Sequence, residues 1–362
     1  MTLENTPQSN SMPKIGSINT LRFIAAIFVM FYHFTFMFYH RDLTYINIPI
    51  LRDLFQYGYL GVDLFFIISG FVISMSAESR NAYGFFKSRI GRLYPIFWIS
   101  LILTSLFLFF AGEIINYQMT WSIFWTNATM IPAVLFGKDT AILIDGSYWT
   151  LALEMKFYFI IFVLLIFRQF KKIEWLTIPL SFIMLISAVF YNIKFDSDLI
   201  WIPNFLAGII FYKIYKHGLN NWRIFGLCNT FIASIIFATN RIPDLVAGYK
   251  TIFSPSTITL YILLFYIIFI LISLNKFRIP NNKYINILGI LTYPIYLLHQ
   301  QIAKILFTYA GIKNIPLYIS FISVTIFIIL LSFLIHKIFE RRGKIAVDKI
   351  LDRITPRFLK YL

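Results

Sequence analysis

A single cysteine, Cys228, stands in a chain of 362 residues. That excludes a disulfide framework and a cysteine-based metal site, and nothing in the sequence gives the thiol a catalytic partner, so it reads as packing. Charge is scarce too: 13% of residues are Asp, Glu, Lys or Arg against 59% apolar. With a mean hydropathy of +0.75, this composition is that of a polytopic membrane protein. The charge that exists is short of acid, with 16 Asp and Glu against 32 Lys and Arg. No Walker loop, metal-ligand cluster or nucleophilic Ser or Cys motif is present, so no metal is expected. Residues 1–19 lack the apolar core and cleavage site of a signal peptide, so the first span is expected to be retained. No Gly/Ser linker, dividing charge run or internal repeat splits the chain, which reads as one membrane domain.

Long apolar runs take the place of what is missing. Ten read as spans, at about 18–39, 58–76, 93–111, 147–167, 176–191, 199–215, 224–238, 255–274, 285–309 and 316–338. With the N-terminus in the cytoplasm, 23 of the 32 Lys and Arg residues fall inside and 7 outside, with Lys156 and Lys304 in spans. The reverse orientation inverts that bias and is rejected. The expected fold is therefore an all-α polytopic membrane helix bundle of about ten transmembrane helices. Residues 1–17 and 339–362 form cytoplasmic tails on a membrane domain of residues 18–338. The net charge of +16 is explained by this topology and by a basic C-terminal tail lying on anionic lipid, and nucleic acid is not an expected partner. An eleventh apolar stretch, residues 121–136, contains Asn127, Thr129 and Pro132 and has both ends outside. It fits a re-entrant or interfacial segment.

Ionisable residues at membrane depth usually do work. Positions 22, 26, 29 and 33 share one helix face, so Arg22 and His33 lie on one stripe, roughly 16 Å apart along the axis. Counting inward from the outer span ends puts His33, Asp63 and Glu154 at one level, roughly 7 to 11 Å down. A histidine with two carboxylates there is a candidate general acid/base group. His299 falls deeper, beside the kink expected from Pro294, as a candidate substrate contact. On the inner side Lys87, Arg89 and Arg92 join Arg22, and such cations match phosphate oxygens. Tyr148, Trp149 and Tyr158 are candidates for stacking on sugar faces. A phosphate grip inside and acid/base chemistry outside describe a transferase working across the bilayer. Buried His, Asp and Glu also build the relays of proton-coupled transporters and flippases, but those commonly carry repeated halves with paired broken helices, and none is visible here. The other histidines, His40, His217 and His336, fall at span ends, where solvation explains them.

Five ordered motifs carry a resemblance: Leu21-Arg22 with His33 eleven residues on, Gly61-Val62-Asp63-Leu64-Phe65-Phe66-Ile67-Ile68-Ser69-Gly70-Phe71, Arg89-Ile90-Gly91-Arg92-Leu93-Tyr94-Pro95, Ser147-Tyr148-Trp149-Thr150-Leu151 through Glu154, and Thr292-Tyr293-Pro294-Ile295-Tyr296-Leu297-Leu298-His299. From about residue 15 to 340 the sequence resembles the acyltransferase-3 family, integral membrane enzymes that O-acetylate bacterial cell-surface glycans. The resemblance implies a multi-pass protein of the bacterial inner membrane. It implies acetyl-CoA as donor, held by Arg22, Arg89 and Arg92, and a cell-surface glycan as acceptor. His33 matches the family's catalytic histidine, as general base or transient acyl carrier, with Glu154 or Asp63 orienting it. Thr150 stands where the family more often has serine. No soluble esterase-like domain follows the tenth span, unlike the fused members of the family, which leaves open what completes the transfer; a homo-oligomer and a separate periplasmic partner are the candidate partners.

Overall fold

The computed structural model describes residues 15–137, 141–191 and 197–356, and all regular structure among them is helical. Twelve helices frame the bundle: α1 (Gly16–Phe31), α2 (Gly61–Glu78), α3 (Ala82–Ala111), α4 (Trp149–Ile166), α5 (Ile173–Phe190), α6 (Ile202–His217), α7 (Asn221–Asn240), α8 (Pro255–Ser273), α9 (Lys283–Leu298), α10 (Gln301–Ile312), α11 (Leu317–Ile335) and α12 (Arg341–Ile354). Asparagines start three of them, since a side-chain oxygen satisfies an orphan N–H of the first turn. Asn81 accepts from the Gly84 N–H at 2.9 Å, Asn220 from the Arg223 N–H at 2.7 Å and Asn282 from the Ile285 N–H at 2.9 Å.

Eight helical segments among the described residues are long and apolar enough to cross a membrane. Two of the ten expected spans fall outside that set. Residues 199–215 form the short α6, entered through a 3₁₀ turn at Asp198–Trp201 and ending in Lys213, Lys216 and His217. Residues 285–309 are broken at His299 and Gln300 into α9 and α10, a full turn beyond Pro294, which lies within α9. Segment 121–136 folds as two short helices, Trp121–Ala128 and Pro132–Phe136, joined through the buried Asn127. The Asn127 amide donates to the Ile142 carbonyl and its oxygen accepts from the Ile144 N–H, which satisfies backbone that cannot join a helix ladder.

The tightest crossing is between α2 and α6. A Cβ on Gly70 would lie 2.2 Å from the Phe205 carbonyl oxygen, and one on Gly208 would lie 2.1 Å from that of Ile67. Only glycine allows this approach, the small-residue contact by which helices associate in lipid. Polar cross-links tie segments that the charge count places on the same side. Glu78 pairs with Lys216 at 2.8 Å, Glu174 with Arg223 at 2.8 Å and Lys87 with Asp352 of α12 at 2.7 Å. Tyr45 bonds the Ile315 carbonyl at 2.9 Å and Gln56 that of Ile252 at 2.7 Å.

Candidate active site

His33 does not sit on an ordinary helix. After Phe31 the chain widens into a π-helical stretch, Tyr32–Met37, before closing again at Phe38–His40. Such bulges re-aim side chains and free backbone carbonyls, and they concentrate at functional sites. Here the His33 Nδ1–H donates to the Val29 carbonyl at 2.7 Å, and the same nitrogen lies 3.2 Å from Nε2 of His299. The rings meet edge to face, with centroids 4.8 Å apart. His299 is buried, and its Nδ1–H donates to the Tyr296 carbonyl at 2.8 Å.

Three adjoining cavities run along the Arg22–His33 stripe. The inner one, of about 340 Å³, is lined by Arg22, Arg92, Asn286 and Tyr293, with Glu340 at its edge. A narrow middle cavity of about 60 Å³ shares Arg22 and Tyr293 with it and adds Ser69, Glu154, Thr150 and Tyr296. The outer cavity, about 270 Å³, shares Val62 and Tyr296 with the middle one and contains His33, Trp149, Trp201, Arg241 and Asp244. The inner cations are incompletely partnered. Arg22 Nε and Arg89 Nε are buried without a hydrogen-bond acceptor among the described residues, although Arg89 donates to Ser76 Oγ at 2.7 Å and its guanidinium lies over Tyr158. A buried N–H donor left open is costly, and an anion would satisfy it.

The two carboxylates expected beside His33 are engaged elsewhere. Glu154 accepts from Tyr158 at 2.6 Å and Ser69 at 3.0 Å, and it interacts electrostatically with Arg22 and Arg89. It lies in the neck rather than at the level of His33. Depth counting fails here because Gly146–Tyr148 is a 3₁₀ turn whose Gly146 and Ser147 already line the outer cavity. Trp149 therefore marks the histidine level, and Glu154 lies about 7.5 Å further in. Asp63 is buried and accepts from Arg241 at 2.8 Å and Asn204 at 3.0 Å. Neither is hydrogen-bonded to His33, whose ring partner is His299.

Of the candidate sugar contacts, only Trp149 lines the outer cavity, packed on Trp201 with centroids 5.0 Å apart. Tyr148 is buried against Phe97, and Tyr158 serves Glu154. Lys87 is held by Asp352, and neither it nor the buried Arg89 lines any of the three cavities, although Arg89 lies within electrostatic reach of Arg92 and Glu154, which do. Sequence reasoning missed Trp201, Asp145 and Arg241. The Arg241 guanidinium lies 4.6 Å from the Trp201 ring centroid. Its signal was its place as one of the few cations in outer loops, where the positive-inside bias leaves little reason for one. The buried Asp145 accepts from the Ser147 N–H at 2.8 Å and the Gln301 N–H at 3.1 Å. It thereby ties the start of α4 to the chain break after His299.

Fold and cavities define a multi-pass helical membrane protein with one buried site strung between an inner, cation-lined end and an outer, aromatic end. The chain belongs to the acyltransferase-3 family: the family profile, described as an acyltransferase domain, matches residues 15–337. It is similar to nodulation protein 10 of Rhizobium leguminosarum bv. viciae, with 29% identity over 172 residues, 43% of this chain and 46% of that protein. It is also similar to the peptidoglycan O-acetyltransferase OatA of Listeria monocytogenes serovar 1/2a, with 23% identity over 253 residues, 64% of this chain and 35% of that one. The exopolysaccharide production protein ExoZ of Rhizobium meliloti matches at 31% over 111 residues, 29% of this chain and 33% of that one. These matches span from a third to less than half of each relative's length. No solved structure matches the chain.

Proposed function

We propose that this protein is an O-acetyltransferase of a bacterial inner membrane, moving an acetyl group from cytoplasmic acetyl-CoA to a hydroxyl of an extracytoplasmic polysaccharide or lipid-linked glycan. The observation that carries the reading is the row of adjoining cavities from Arg22 and Arg92 to His33. Arg22 and Arg92, which line the inner cavity, meet the phosphates of the donor, and the buried Arg89 adds positive charge behind them. The middle cavity has room only for a slender chain, which fits a pantetheine arm, and Glu154 holds the cations around that neck. The names of two relatives support the acceptor class, one an O-acetyltransferase of peptidoglycan and one a protein of exopolysaccharide production. The outer cavity suits such an acceptor, because Trp149 and Trp201 give a sugar an aromatic face and Asp244 gives its hydroxyls an acceptor.

In this mechanism His33 Nε2 takes the proton of the acceptor hydroxyl as its oxygen attacks the thioester carbonyl carbon. The C–S bond then breaks, and His33 returns the proton to the departing sulfur, leaving an acetyl ester and a free thiol. Mass analysis of surface glycans from cells with and without the gene tests the assignment. Ester-linked acetyl groups should vanish on deletion and return on complementation; an identical glycan in both strains contradicts it.

A further inference from the structure

We infer that His299 is a positioning residue for His33, fixing its tautomer through a ring-to-ring hydrogen bond, so that the base works in a histidine pair without a carboxylate. This rests on the reading of His33 as the general base. A backbone carbonyl only accepts, so each Nδ1 that faces one must carry a proton. His299 Nδ1–H therefore belongs to the Tyr296 carbonyl, and His299 Nε2 presents a lone pair. The atom opposite that lone pair, at 3.2 Å, is His33 Nδ1, whose proton is shared with the Val29 carbonyl at 2.7 Å.

With both rings neutral, only one arrangement of protons satisfies all three contacts, and it leaves His33 Nε2 deprotonated at the outer cavity. A base needs that tautomer before substrate arrives, and a carboxylate fixes it in serine-type triads. Here the donor passes close by, and a buried carboxylate would add a charge that the site would have to desolvate and pair. A neutral imidazole supplies the acceptor without that charge. When His33 gains a proton at Nε2, the Nδ1–H bonds to Val29 and His299 become charge-assisted and strengthen. The chain of bonds ends at a carbonyl, so the proton stays available for return to the sulfur. The break between α9 and α10 holds His299 in place, because Asp145 anchors the first N–H of α10.

The test compares His299→Phe and His299→Gln with wild type in nanodiscs, following thiol release from acetyl-CoA and ¹⁵N signals of labelled histidine. In His299→Phe, kcat should fall by roughly tenfold to a hundredfold, short of the full worth of a general base, while KM for both substrates stays within about twofold. His299→Gln, whose side-chain oxygen accepts a hydrogen bond, should recover part of the loss. Wild-type His33 should show a protonated Nδ1 and a bare Nε2, and His299→Phe a mixture of tautomers. A full kcat in His299→Phe, a change confined to KM, or a wild-type His33 protonated at Nε2 overturns the inference. If His299→Phe fails to accumulate, the Gln variant and the wild-type spectrum decide. An inactive His33→Ala beside a fully active His299→Phe defeats this inference alone, whereas an active His33→Ala defeats the reading of His33 on which it rests.

Discussion

The two ends of the site treat their buried arginines differently. In the outer cavity the Arg241 guanidinium is paired at 2.8 Å with Asp63 and spread over Trp201, so its charge is compensated within the protein. At the inner end three guanidinium groups, of Arg22, Arg89 and Arg92, gather around one engaged carboxylate, Glu154. The difference lies in uncompensated positive charge and not in open donors, since Arg241 Nε lacks an acceptor among the described residues just as Arg22 Nε and Arg89 Nε do. A buried charge that the protein has already answered is a structural part, whereas one left unanswered is prepared for a ligand. The contrast assigns the anionic donor to the inner end and a largely neutral acceptor to the outer end.

The largest effect that bears on this contrast is on stability. Asp63→Ala strands Arg241 in a buried site and should cost about 3–5 kcal/mol, read as a fall in thermal unfolding midpoint in detergent. Asp63→Leu combined with Arg241→Met should recover most of that loss; if the double variant is no more stable than the single, the pair is not a self-compensated unit. Removing inner cations should instead spare the fold. Arg89→Ala with Arg92→Ala should weaken acetyl-CoA binding by roughly a hundredfold or more, since two charged hydrogen bonds at about 1.5–3 kcal/mol each amount to about 3–6 kcal/mol, with little change in unfolding. Calorimetry showing unaltered donor affinity would remove the inner assignment. At the outer end Trp149→Ala should raise acceptor KM by roughly five- to tenfold, since an aromatic stacking contact contributes about 0.5–1.5 kcal/mol beyond its buried area. A change in donor KM instead would place Trp149 on the wrong substrate. Lys87→Ala should do least: its pair with Asp352 is a partly exposed ion pair worth about 0–1 kcal/mol. A tenfold loss of donor affinity there would restore Lys87 to the binding set.

Much of this was legible in the chain itself. The Arg22–His33 stripe needs only one helix and its periodicity, so sequence spacing predicts it. The all-α membrane bundle follows from run length and hydropathy, and the inner arginines from a short basic run before the third apolar stretch, which reads as a loop but folds as the first turns of α3 (Ala82–Ala111). What could not be read depends on contacts between distant segments. His33 and His299 are 266 residues apart, and Asp63 and Arg241 are 178 apart, and no local pattern announces either pair. Depth counting sets Glu154 too shallow because it treats span ends as level, while the 3₁₀ turn before α4 dips to the histidine. The π-helical widening at Tyr32–Met37 leaves no mark in residue type, because it changes hydrogen-bond register rather than polarity.

The most direct test of the account puts the two substrates on opposite sides of one membrane. Proteoliposomes holding acetyl-CoA on the face that carries Arg22 and Arg92, and glycan acceptor on the other, are assayed for thiol release and ester formation with wild type and His33→Ala. Wild type should release thiol on the donor side and form ester on the acceptor side in equal amounts, while His33→Ala still binds acetyl-CoA but forms no ester. Ester formation by His33→Ala, or turnover by wild type only when both substrates share one side, would contradict the account.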